Sequence, residues 1–80
     1  SIKNRNIIYI FETSSLFAID NRNRIIKYNN DLEEMSSSFF ISENQFMNAT
    51  YYSNKNWLLN FGTKILNIEL DSKTVTENKN

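Results

Sequence analysis

The stretches "LFAIDNRNRIIKY" (16 to 28) and "ILNIELDSKTVTE" (65 to 77) each read as a strand, a tight polar turn and a second strand. Phe11-Glu12-Thr13 lines up with Phe61-Gly62-Thr63 at an offset of 50. Ile19-Asp20-Asn21-Arg22 lines up with Leu70-Asp71-Ser72-Lys73 at an offset of 51, so one inserted residue reconciles the two copies. Upstream, Ile8, Tyr9 and Ile10 meet Trp57, Leu58 and Leu59 within about a residue. A duplication constrains the fold more than any other feature of the chain. A period near 50 belongs to propeller blades and related four-stranded repeats. Each copy would be one supersecondary unit, unable to bury both of its faces alone.

The rest of the chain fits that frame. "NIIYIFET" (6 to 13) is continuously apolar and suits a central strand, or one buried on both faces. "LFAID" (16 to 20) and "IIKY" (25 to 28) are strands flanking the turn "NRNR". Short strands joined by tight polar turns indicate an antiparallel meander. "NNDLEEMSSS" (29 to 38) breaks the pattern: Asn30 with Glu33 resembles a capping box, and Leu32 and Met35 share a helical face. A turn or two of helix, or an irregular crossing, is expected there. Further strands are expected at "SFFIS" (38 to 42), "QFMNATYY" (45 to 52), "WLLNF" (57 to 61), "TKILNIEL" (63 to 70) and "KTVTE" (73 to 77), with a turn at "SNKN". The polar tail after Glu77 is expected to fray. The expected layout is therefore a mostly β, antiparallel chain with at most one short helix. It has repeat one at about 6–30, a crossing at 31–44, a strand at 45–52 and repeat two at about 56–77.

Composition narrows the function classes. With 80 residues there is room for one domain at most, but 40% hydrophobic and 14% aromatic residues supply a core. Nine basic residues balance nine acidic ones. That argues against a nucleic-acid binder, which needs cations to neutralise phosphates, and against a polybasic membrane-surface module. The chain has no Cys and no His, so it lacks thiolate ligands, disulfides, the commonest general base and the commonest nitrogen ligand. The longest apolar run, Ile7 to Phe11, falls far short of a membrane span. The opening Ser1-Ile2-Lys3, without Met, reads as an excised piece of a longer protein. Asparagine recurs in pairs and near-pairs, as AT-rich coding produces; because Asn tolerates the left-handed region, these pairs also punctuate turns.

"SLFAIDNRNRIIKY" resembles the quinoprotein-type propeller repeat, in which an aromatic-Ala-Leu-Asp strand is followed by a Thr-Gly turn and a hydrophobic-x-Trp strand. Phe17, Ala18, Ile19 and Asp20 match the first part, Ile26 and Tyr28 the later positions, and "ELDSKT" (69 to 74) matches the core again. Arg24 and Val75 stand where that repeat has glycine. Asn23 can absorb the left-handed conformation in the first copy, whereas the second has no evident residue for it. Within this class the layout is similar to the luminal sensor domains of the endoplasmic-reticulum stress kinases, of the inositol-requiring kinase/endoribonuclease and pancreatic ER kinase types. "SSLFAID", the irregular "NNDLEEMSSSFF" and "TKILNIELDSKTV" follow one another as they do there. The resemblance covers roughly residues 7 to 77. It implies a portion of a longer luminal domain, with kinase activity elsewhere in the full protein.

Individual side chains carry little chemistry. Asp31, Glu33 and Glu34 lack the alternate spacing and glycine of a calcium loop; they suit the first turn of a short helix. Asp20 and Asp71 suit turn capping. Ser14, Ser15 and the run Ser36-Ser37-Ser38 have no base fixed near them, so no nucleophile is indicated. Asn48-Ala49-Thr50 is an N-glycosylation sequon, making Asn48 a candidate modification site. Tyr51, Tyr52 and Trp57 cluster near a turn as an interface candidate or as ordinary core filling. An open sheet would also leave an edge strand for a partner to extend. The expectation is a non-catalytic sensing or association module without cofactor or metal. Its partner would be a protein, a peptide or a second copy, and not nucleic acid or membrane. A propeller blade of an interaction scaffold is the alternative, and a quinoprotein enzyme is disfavoured for want of glycine turns.

Overall fold

The computed structural model describes residues 6–35, 38–53 and 55–79. The opening Ser1-Ile2-Lys3, Asn4, Asn80, two serines of the run (Ser36 and Ser37) and Asn54 of the "SNKN" turn lie outside the described residues. The chain divides into two compact units, Ser1–Ser42 and Glu43–Asn80. Each holds one four-stranded antiparallel sheet whose strands follow in chain order, the arrangement of a blade. No helix forms among the described residues.

The first sheet consists of β1 (Ile7–Glu12), β2 (Leu16–Asp20), β3 (Arg24–Tyr28) and the two-residue β4 (Phe39–Phe40). Phe11 pairs with Phe17, Ala18 with Ile26, and Ile25 with Phe39. The middle strands are buried on both faces: Phe17 and Ile19 point one way, Ala18 the other, and all three are buried. Ala18, Ile26 and Tyr28 form one cluster, with Ile7 and Leu16 packed against it. On the opposite face Phe11 is fully buried and meets Tyr9 edge-on, ring centroids 5.1 Å apart.

The role of β1 corrects the sequence reading. It is an outer strand, not a central one, and Ile8 and Ile10 are each 41% exposed. A continuous apolar run cannot tell a strand covered on both faces from an edge strand that leaves apolar residues open. The ladder is also irregular between Ile7 and Tyr9, which adds local twist.

Of the two forms expected for this segment, the irregular crossing is the one found over residues 29–35, not the helical turn, and the reason is local. Asn29, not Asn30, is the organising residue: its Oδ1 accepts the amides of Asp31 and Glu33, both at 2.9 Å. Leu32 then adopts φ +61°, outside the helical region. The Met35 amide donates to the Lys27 carbonyl at 2.8 Å and Glu34 bridges Tyr28, so the loop returns alongside β3.

The second sheet consists of β5 (Asn48–Tyr51), β6 (Asn56–Asn60), β7 (Ile65–Glu69) and β8 (Thr74–Glu77). Here the alternation is clean. Trp57, Leu59, Leu66 and Ile68 face one side and are buried, while Leu58, Asn60, Asn67 and Glu69 face the other. Phe61 and Leu70, just beyond the ends of β6 and β7, extend the apolar face, and Phe46 meets Phe61 edge-on at 5.9 Å. Gly62 has φ +90°; a Cβ there would meet only Met47 Sδ at 3.5 Å, so backbone conformation rather than space calls for glycine.

The sequence correspondence pairs β1–β3 with β6–β8, and two of its equivalent pairs share a place in the core. Phe11 and Phe61 are both buried, as are Ile19 and Leu70. The inserted residue falls in the β6–β7 hairpin, where four residues separate the pair Asn60–Ile65 against three between Glu12 and Leu16. The β7–β8 hairpin is in turn one residue shorter, with four residues between Glu69 and Thr74 against five between Ile19 and Ile25. The second copy does have a left-handed turn residue, contrary to expectation. It is Lys73 at φ +62°, matching Asn23 at φ +61°.

Candidate functional site

The edges of the two sheets are the candidate site. β1 and β4 bound the first sheet; β5 and β8 bound the second. β4 is only two residues long and offers little backbone. β1 is six residues long, carries no Lys or Pro, and has Glu12 as its only charge. Charged side chains and proline are the usual protection of an edge strand, and β1 is nearly without them. β8 is exposed along all four residues, but Thr74, Thr76 and Glu77 make it polar.

The aromatic cluster near the β5–β6 hairpin divides. Tyr51 pairs with Trp57 across the ladder, rings edge-on at 5.2 Å. Trp57 is 5% exposed and belongs to the core, whereas Tyr51 and Tyr52 remain on the surface. The hairpin is closed by Ser53 and Asn56, which exchange backbone hydrogen bonds of 2.9 and 3.1 Å. Asn48 is exposed at the start of β5, with its side chain on the polar face opposite Asn60.

The acidic segment is taken up by structure. Glu34 Oε2 lies 2.5 Å from Arg24 Nη2, and the same nitrogen donates to Ser38 Oγ at 2.9 Å. The Arg24 guanidinium also lies over the Phe40 ring at 5.9 Å. Asn29 Nδ2 donates to Glu33 Oε1 at 3.1 Å. With no helix among the described residues, these carboxylates complement no helix dipole there. Among the described residues, no group of three or more His, Cys, Asp or Glu side chains is placed to hold a metal ion.

The serines beside the first hairpin serve the turn. Thr13 Oγ1 accepts the Ser15 amide at 3.0 Å and donates to the Ser15 carbonyl. Asp20 and Asp71, equivalent in sequence, are used differently. Asp20 is buried, and its Oδ1 accepts the amides of Arg22 at 2.9 Å and Arg24 at 3.1 Å. Asp71 is exposed and pairs with Lys55 at 3.1 Å.

One feature went unread in the sequence, the neutral polar face of the second sheet. Its signal is the period-two alternation of Asn48-Thr50-Tyr52, Asn56-Leu58-Asn60 and Ile65-Asn67-Glu69. Only the ladder register brings these triplets side by side. Comparison with known proteins finds no family model that matches the chain, no similar curated protein and no similar solved structure.

Proposed function

We propose that the chain is a non-catalytic sensing and association module, the luminal portion of an unfolded-protein-response kinase. In this reading it dimerises or captures extended peptide through a sheet edge. Catalysis would belong to a kinase domain elsewhere in the full protein, and this segment would work in the lumen of the endoplasmic reticulum. The observation that carries the reading is β1, a six-residue apolar edge strand with Ile8 and Ile10 exposed. Its outward backbone groups can continue a ladder with a partner strand, and its open isoleucines supply the apolar contact. Two copies joined edge to edge would form a two-fold interface from one surface.

Sedimentation across a concentration range tests this. Association that rises with concentration and is abolished by Ile10→Lys is the expected result, because an edge lysine blocks strand addition. A strictly monomeric species that also leaves unfolded peptides unbound would refute it. A blade of a protein-interaction scaffold is the second reading, favoured by the consecutive strand order of both sheets. Further blades in the flanking sequence, in place of a kinase domain, would select it.

A further inference from the structure

The polar face of the second sheet is an ordered grid. The register aligns Thr50, Leu58, Asn67 and Thr76 in one row across the four strands. Asn48, Asn60 and Ile65 form the next row, completed by Asn78, whose amide donates to the Ile65 carbonyl at 2.8 Å. Asn56, Glu69 and Thr74 form the third, completed by Tyr52, whose amide donates to the Asn56 carbonyl at 3.2 Å. Of these twelve positions, nine carry an amide or hydroxyl group and one carries a charge.

Such neutrality is not a property of the unit as a whole. Glu43 to Asn80 contains eight charged residues, yet only Glu69 stands in the grid. Lys55, Lys64, Asp71 and Lys73 lie in connections between strands, Glu43 and Lys79 lie outside the strands, and Glu77 faces the other side. An ordinary solvated sheet face would carry its share of Lys and Glu.

A cleft of about 320 Å³ opens here, lined by Tyr52, Asn56, Leu58, Asn67 and Asn78 of the grid together with Trp57, whose own side chain belongs to the other face. That is the lower end of small-ligand sites. Tyr52 is 75% exposed at its rim and Leu58 is half-buried.

We infer that this face binds a neutral saccharide. An asparagine amide carries two donor hydrogens and an acceptor, which matches adjacent sugar hydroxyls acting both ways. Asn56 Nδ2 already donates to Ser53 Oγ at 3.0 Å and Asn60 Oδ1 accepts the Gly62 amide at 2.9 Å, so these two offer what is left of their capacity. The Tyr52 ring presents its electron-rich face to the weakly positive C–H groups of a pyranose. Lack of cations on the grid disfavours phosphate, sulfate and nucleic acid. Asn48, the sequon asparagine, stands on the same face. The sugar can therefore come from a free or partner-borne glycan, or from a glycan on Asn48 itself.

Two arms of one NMR experiment distinguish these sources. In the first, unglycosylated chain is titrated with N,N′-diacetylchitobiose and the side-chain amides of Asn56, Asn67 and Asn78 are followed. Saturable shifts with a Kd on the order of 1 mM are expected. Tyr52→Ala and Asn67→Leu, both at exposed positions, should each weaken binding at least about tenfold while leaving backbone shifts elsewhere unchanged. In the second arm the chain carries a glycan at Asn48. If that glycan occupies the cleft, the same three amides are already shifted and added chitobiose moves them no further. No shift in either arm, or shifts that persist in both variants, overturns the inference. Neither arm depends on edge association, so the proposal for β1 stands or falls separately.

Discussion

Replacing Asp20 with alanine tests how the β2–β3 hairpin holds its turn without a glycine. Asp20 is 5% exposed, and one of its oxygens accepts two turn amides, at 2.9 and 3.1 Å. Its own carbonyl also accepts the amide of Asn23, the residue at φ +61°. Hydrogen bonds to a charged acceptor are worth about 1.5–3 kcal/mol each. Arg22 is exposed, so its amide regains water in the variant; Arg24 is half-buried and regains it less well. Counting one bond near full value and one strongly discounted gives a loss of about 2–3 kcal/mol. For a domain of this size that lowers Tm by roughly 10–20 °C. Asp71→Ala is the internal control. Its partner Lys55 is mostly exposed, so about 0–1 kcal/mol is expected. Far-UV circular dichroism melts of both variants, with hydrogen exchange at the Arg24 amide, would measure the difference. Equal melting shifts for Asp20→Ala and Asp71→Ala would refute the capping role.

Two further outcomes concern the second sheet. Leu59 is fully buried beside Leu66 and Ala49, so Leu59→Ala should cost about 2–5 kcal/mol, read as a lower denaturant midpoint of Trp57 fluorescence. Lys73→Gly should instead stabilise the chain by about 0.5–1 kcal/mol, because glycine relieves the φ of +62°; a lowered Tm would count against this.

The strands were legible because turn residues punctuate them. Asn21 to Asn23 and Asp71 to Lys73 each interrupt a run of β-branched and apolar residues, and one strand ends and the next begins there. Features decided by a single backbone torsion were less legible. Leu32 and Lys73 at positive φ carry no sequence signal for it, since neither residue favours that region. The false helical turn follows from the first, and the missing second turn residue from the other. The exposure of β1 was hidden for another reason: apolar spacing reports how much a strand could bury, not whether a neighbour covers it. Asn48, Tyr51, Tyr52 and Trp57 were identifiable as residues, but their separation into core and polar face depends on ladder register. Register is set by hairpin loop length, which here differs by a single residue between copies.

All six ladders join strands that are neighbours in sequence. For folding kinetics this means that each hydrogen-bonded pairing closes a short loop. The longest excursion inside a sheet, from β3 to β4, is itself fastened midway by the Tyr28–Glu34 bridge. Loop closure costs little entropy at these lengths, so pairing in either sheet should run on hairpin timescales rather than wait for a distant partner. A nick between Ile41 and Met47 would sever no strand pairing. The ladders thus favour a chain that acquires its order in two local steps, hairpin upon hairpin.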